Sequence, residues 1–203
     1  MSDTPLKYTI LTPTNTSSAE EFVAFWSKVY QSSFYAENGE LYSNNINKEA
    51  HDETSLKDLF KWKNGIKGNI SGNKETFFTK VVANNIGTIN ELHSNFNLDK
   101  FIREFQPDKS AFVWKIFLLH IIQPKQFPIF DQHVYRAVCY LRNSEVVELE
   151  ANKSHAKMEY YQKEYLPTFN RLKQDSNTPL KQVDEALWAF GRFLKNNHTM
   201  LQP

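Results

Sequence analysis

Phe127-Pro128-Ile129-Phe130-Asp131-Gln132-His133-Val134-Tyr135-Arg136-Ala137-Val138 is the stretch from which the fold is read. An apolar, proline-containing approach runs into one acidic residue, and an amphipathic pattern starts there. The spacing predicts a helix from Asp131 to Leu141, with Asp131 at its N-terminus and His133 and Arg136 close behind. Asp is a preferred N-cap residue, so capping alone accounts for Asp131. One carboxylate oxygen can cap while the other faces a site. Upstream, Ser110 to Ile122 is strongly apolar, and its length favours a buried helix over a strand. Pro124 and Pro128 bound a tight connection between the two.

Working outward, helical spacing of apolar residues predicts helices over Glu20–Tyr35, Thr54–Lys63, Glu75–Asn84, Thr88–Phe96 (capped by Thr88) and Leu98–Phe105. Further helices are predicted over Ser154–Gln174, with a kink at Pro167, and over Val183–Leu194. Leu41 to Asn47 is polar and reads as a loop, as does the segment holding Gly65, Gly68 and Gly72. There are no alternating strand pairs and no internal repeat. The expected fold class is all-α. Residues 19–197 form one helical domain, with flexible segments at 1–18 and 198–203.

The chain has 203 residues, 40% hydrophobic and 23% charged, the profile of a soluble globular protein. A formal net charge of +1 means that nucleic-acid binding needs a local basic surface. The single cysteine, Cys139, excludes an internal disulfide and a cysteine-cluster metal site, and lies in an apolar helical pattern that suits a buried thiol. The polar start, Met1 to Ser18, does not read as a secretory signal, and the longest apolar run is interrupted by His120. The expectation is a cytoplasmic monomer without membrane association, metal or cofactor. No Walker-type loop, dinucleotide glycine pattern, His-Glu-X-X-His or Gly-X-Ser-X-Gly occurs, and the histidines are scattered.

Trp114-Lys115-Ile116-Phe117-Leu118-Leu119-His120-Ile121-Ile122-Gln123-Pro124, followed by Phe127 to Arg136, resembles the helix-hairpin-helix DNA glycosylase superfamily. The likeness covers roughly Lys109 to Leu141. It is greatest to the divergent 8-oxoguanine glycosylase-like proteins of bacteria, and extends to the phage-associated branch proposed to act on hypermodified pyrimidines. In that superfamily an apolar helix leads through a short turn to an Asp-X-His-Val-like segment whose Asp is catalytic. The resemblance implies a two-lobed helical domain with a DNA cleft between the lobes, and gives Asp131 the catalytic role. Breaking an N-glycosidic bond develops positive charge on the sugar, which a carboxylate can stabilise while orienting a water. The base must first leave the stack.

The chain also departs from the family pattern. The Gly-X-Gly hairpin that offers backbone N–H groups to a DNA phosphate is absent, and Pro107-Asp108-Lys109-Ser110 stands in its place. The position of the Schiff-base lysine of bifunctional members falls near Phe112. Lys115, about one turn later, is the better candidate amine, against a plain reading as a snorkelling side chain. A monofunctional enzyme using Asp131 and water is therefore expected. Lys109, Ser110, His133 and Arg136 are expected to position the DNA backbone, against plain readings of His133 as a polar helix residue and Arg136 as a solvated or salt-bridged one.

A second candidate region runs from Lys57 to Lys80, where Lys57, Lys61, Lys63, Lys67, Lys74 and Lys80 interleave with Phe60 and Trp62. Such a pattern suits a phosphate backbone with an aromatic left for a base, and equally a solvated helix face with Trp62 in the core. Trp62-Lys63-Asn64-Gly65 echoes a segment of the same glycosylase-like proteins, so Trp62, Lys63 and Asn64 are expected to contact substrate. Asp184-Glu185-Ala186-Leu187-Trp188 is similar to their ending. Leu187 and Trp188 are expected to pack, and Asp184 either to cap a helix or to line the pocket. The other expected function is a non-catalytic DNA-binding or defence-associated protein on the same scaffold.

Overall fold

A computed structural model describes residues 18–31, 38–65, 70–107, 109–149 and 154–197. The described residues are all-α, without a strand. The flexible segments expected at 1–18 and 198–203 lie outside them, apart from Ser18. In chain order the helices are α1 (Ala19–Tyr30), α2 (Gly39–Ile46), α3 (Glu53–Lys63), α4 (Asn73–Phe77), α5 (Ile86–Ser94), α6 (Leu98–Phe105), α7 (Phe112–Ile122), α8 (Gln132–Asn143), α9 (Ser154–Tyr160), α10 (Leu166–Ser176) and α11 (Leu180–Asn197). None is long and apolar enough to cross a membrane.

Local chemistry sets many of the boundaries. Ser18 caps α1 by accepting from Glu21 N–H, and Asn97 caps α6 by accepting from Lys100 N–H. At the start of α3 Ser55 N–H donates to Asp52 Oδ1 (2.7 Å) while Asp52 N–H donates to Ser55 Oγ (3.0 Å), a reciprocal pair that satisfies both ends. Helix α7 is apolar on every side, and Ile116 through Leu119, Ile121 and Ile122 are all fully buried, so it runs through the core.

Three expectations about local structure change. Thr88, expected to cap its helix, lies inside α5, which starts at Ile86 after Asn85. The segment from Leu41 to Asn47, read as a loop, lies in and just after helix α2. Its order comes from packing, because Tyr42 rests on the Trp62 ring (4.5 Å between centroids) and Ile46 is buried. The helix read over Glu75–Asn84 is α4, then a π turn over Phe78–Val82 and a 3₁₀ turn over Ala83–Asn85. A second π turn, Tyr161–Tyr165, joins α9 to α10 just before Pro167. There the missing proline N–H would break a regular helix, and the kink expected at Pro167 takes this form.

Helix α11 packs along both α1 and α8, and α2 packs on α3. The α8–α11 contact is close enough to require glycine at 191, since a Cβ there would lie 1.9 Å from the His133 carbonyl oxygen. His120, the polar interruption in α7, ties the layers together. Its Nδ1 lies 2.7 Å from the Phe127 carbonyl, which can only accept, so Nδ1 carries the proton. Its Nε2 then accepts the Tyr42 hydroxyl at 2.8 Å. Burial keeps this imidazole neutral, with its pKa lowered to about 4.

Candidate active site

The approach to Asp131 is held from below by two tyrosines. Tyr161 donates its hydroxyl to the Pro128 carbonyl (3.0 Å) and Tyr165 to the Ile129 carbonyl (2.7 Å), and both side chains are fully buried. Phe130 packs edge-on between Phe112, Tyr161 and Tyr165. These contacts satisfy backbone acceptors that no helix or sheet would use, and they fix where α8 begins.

Asp131 is the N-cap of α8. Its Oδ1 accepts from the backbone N–H groups of His133 (2.8 Å) and Val134 (3.2 Å). Its Oδ2 accepts from Lys63 Nζ at 2.9 Å, in a pair whose side chains are only 7% and 15% exposed. Capping and a second role thus fall to different oxygens of one carboxylate. Burial alone would push the Asp131 pKa up; the Lys63 ammonium, His133 and the hydrogen bonds from Lys63 and Val134 outweigh it and hold the group below the usual aspartate range.

Lys63 is the last residue of α3, where the negative end of the helix dipole favours a cation. Its ammonium also sits 5.9 Å from the Phe117 ring centroid. Trp62 beside it is buried against Tyr42 and Phe117 and presents one edge to a cleft. Tyr30, Trp62, Trp188, Ile129 and Val134 form the walls of that cleft, and Lys63, Asp131 and Asp184 are its charged groups. The space open to the centre of a water molecule is about 20 Å³, room for about one water and not for a nucleobase.

Asp184 lies inside α11, one turn before Trp188, so it lines the cleft rather than capping a helix. Its Oδ1 is shielded from solvent and has no hydrogen-bond partner among the described residues. Burial, reinforced by the neighbouring Asp131 and Glu185 and opposed by Lys63, raises its pKa to about 8. Two carboxyls in one cleft are therefore in opposite states near neutrality, Asp131 ionised and Asp184 protonated.

The other expected site residues divide. His133 is next to the site: its backbone binds Asp131, its ring meets Trp188 edge-on at 5.2 Å, and burial lowers its pKa despite the opposing pull of Asp131. Arg136 is turned inward and fully buried. Its Nε and Nη2 donate to Glu148 (2.9 and 2.6 Å), and its Nη1 donates to the Gly191 carbonyl (2.7 Å) and lies 3.2 Å from His133 Nδ1. The phosphate contact expected of Arg136 gives way to a tie between α8, α11 and the following coil.

Lys115, expected as the amine nearest the reaction, is buried and donates to the Gln106 carbonyl at 3.1 Å; the lysine that meets Asp131 is Lys63. Burial, then the charge of Lys109, lowers the Lys115 pKa. Lys109 and Ser110 are exposed on the α6–α7 turn, as backbone-positioning residues would be. That turn reaches the left-handed region at Gln106 (φ 43°) and Ala111 (φ 57°), without glycine at either position. Asn64 closes α3 and accepts from Lys74 Nζ. Of the second basic region, Phe60 is fully buried beside Trp114 and Phe117 and so unable to stack on a base, and Lys74 and Lys80 are exposed. Lys67 lies outside the described residues.

Sequence reasoning marked Asp131 and Lys63 separately but missed that they pair. It also missed the anchoring by Tyr165, for which a Tyr at four-residue spacing from Tyr161 was the available signal. Comparison with protein-family models, with curated proteins and with solved structures gives no match for this chain.

Proposed function

We propose that the protein is a monofunctional DNA N-glycosylase of the two-lobed helix-hairpin-helix type, acting as a cytoplasmic monomer on duplex DNA with a damaged or modified base. The observation that carries this reading is the Asp131 carboxylate, held at a helix N-terminus and kept ionised by Lys63 at an aromatic-walled cleft. In this reading the target nucleotide leaves the stack and its sugar comes against Asp131, which stabilises the positive charge as the C1′–N bond breaks and orients the attacking water. Trp62 and Trp188 line the cleft that the extruded base enters. Lys109 and Ser110 on the α6–α7 turn, with the exposed Lys74 and Lys80, meet the DNA backbone. An ammonium engaged by a carboxylate is a poor nucleophile, which favours attack by water over a Schiff base on Lys63.

Among the described residues the cleft has room for about one water as it stands, so a base enters only if its walls part. That narrowness also favours a second reading, a DNA-binding or defence-associated protein that never excises. Incubation with duplexes bearing oxidised, deaminated, alkylated and hypermodified bases, read as alkali-revealed abasic sites, separates the two. The glycosylase reading predicts abasic sites on at least one duplex. Salt-dependent binding without abasic sites on any duplex supports the second reading.

A further inference from the structure

Asp131 has every hydrogen-bond partner that a carboxylate at a helix N-terminus needs. Asp184, across the same cleft, has none at Oδ1 among the described residues. The charged groups facing it are Lys63 from α3, Asp131 from the start of α8, and Lys181 and Glu185 from its own helix. Lys63 is engaged by Asp131 at 2.9 Å and Lys181 by Glu185 at 3.0 Å. Burial first, and the charge of Asp184 second, push up the ionisation of the Tyr42, Tyr161 and Tyr165 hydroxyls, so these groups stay neutral beside it. A carboxyl whose Oδ1 is shielded and unpartnered among the described residues is costly when ionised. It is kept inside the cleft that holds Asp131.

We propose that Asp184 is the general acid of the excision reaction, donating its proton to the departing base while Asp131 faces the sugar. This rests on the glycosylase reading and adds the second carboxyl that the bond cleavage uses. The C1′–N bond breaks with its electron pair remaining on the base nitrogen. The Asp184 proton passes to the base, which departs neutral. Water adds through its oxygen to C1′ and its proton goes to Asp131. Asp184 then regains a proton from solvent and Asp131 releases one, so the net reaction is hydrolysis. The division of labour is that of paired carboxyls in glycoside hydrolysis, one kept neutral by its surroundings and one kept charged. A carboxyl that titrates at about 8 remains an acid throughout the physiological range.

The test compares the full chain with its Asp184→Asn and Asp184→Glu variants in single-turnover excision. The duplexes carry 8-oxoguanine, uracil, 1,N6-ethenoadenine or 5-hydroxymethyluracil, all uncharged bases that leave as anions unless protonated, and the reaction runs from pH 6 to 9.5. The ¹³C-carboxyl-labelled aspartates are titrated by NMR in parallel. We expect wild-type rates to fall about tenfold per unit above pH 8. Asp184→Asn should be slower by about 10²-fold or more with that limb gone, and Asp184→Glu should retain the limb. One aspartate resonance titrating near pH 8 should be missing from Asp184→Asn, a result independent of turnover. Excision by Asp184→Asn within a few-fold of wild type, or with the same alkaline limb, overturns the assignment and leaves the glycosylase reading standing. So does a spectrum in which every aspartate titrates in the ordinary range. If wild type releases no base from any duplex, the glycosylase reading fails and this role fails with it, even if the high-titrating carboxyl is found.

Discussion

Lys63 Nζ lies 2.9 Å from Asp131 Oδ2, joining the C-terminal end of α3 to the N-terminal end of α8. The contact puts a cation where one helix dipole is negative and a carboxylate where another is positive, so each partner is stabilised twice. It also sets the Lys63 ammonium beside both cleft carboxyls. Asp131, which additionally accepts two backbone N–H groups, takes the charge, and Asp184 keeps the proton.

Replacing Lys63 by Met should therefore change the chemistry of both carboxyls. Asp131 loses its main lowering influence, its pKa rises, and any excision activity loses its carboxylate at a higher pH than in wild type. We expect a rate loss of about 10²-fold near neutrality and destabilisation of about 2 kcal/mol, less than for a fully buried pair because the carboxylate is 15% exposed. A Lys63→Met protein with wild-type rate and an unmoved acidic limb would remove the pair from the mechanism.

Arg136 should behave as a structural residue. Its guanidinium is fully buried and binds Glu148 and the Gly191 carbonyl. Arg136→Met should lower stability by about 3 kcal/mol in chemical denaturation, with Glu148→Gln having a smaller effect in the same direction. Unchanged stability combined with a flatter salt dependence of DNA binding would instead restore the phosphate contact expected from the sequence.

Gly191 sets how closely α8 and α11 approach, and so how Asp131 faces Asp184. Gly191→Ala places a Cβ 1.9 Å from the His133 carbonyl oxygen, where the obstacle is backbone and has no rotamer to escape into. About 3 kcal/mol of destabilisation is expected, measured as a lower denaturant midpoint. A midpoint equal to wild type would mean that the two helices are not held at this distance.

Much of the fold was legible because its signals are local. The cap at Asp131, the apolar run of α7 and the turn chemistry around Pro124 and Pro128 are all short-range features, and the helices they predict are present. Helix α2 was not legible, since Gly39, Ser43, Asn44 and Asn45 are weak helix formers and its order comes from Tyr42 and Ile46 packing on distant residues. The site was half legible. Asp131, Lys63, Trp62 and Asp184 each stood out by residue type, but 68 positions separate the ion pair and no periodicity reports such a contact. The salt bridge that was the plainer reading of Arg136 is present, but its partner was not legible for the same reason: Glu148 lies in a coil with no pattern of its own.

Stability should pass through a maximum near neutrality. His120 and His51, with pKa values lowered to about 4 chiefly by burial, and His133, also lowered, are neutral in the native state while the unfolded chain takes up protons below about pH 6.5. The unfolded state binds more protons in that window, so their contribution is complete above about 6.5 and is lost as pH falls toward 4. Asp184 has the opposite sign. Its proton is held in the native state and released by the unfolded chain, so its contribution is present below about pH 4 and is lost as pH rises to about 8. Thermal unfolding at pH 4.5, 6.5 and 8 should give the highest Tm at the middle value, and Asp184→Asn should abolish the fall on the alkaline side. A wild-type Tm that climbs steadily from pH 4.5 to 8 would contradict these assignments.

Excision turns on one carboxylate, and comparing wild type with Asp131→Asn on the panel of modified duplexes tests it. Asn keeps the shape and can still cap α8, while it removes the charge that faces the sugar. Abasic sites are expected from wild type, none above background from Asp131→Asn, and equal DNA affinity for the two proteins. Excision retained by Asp131→Asn would contradict this role of Asp131.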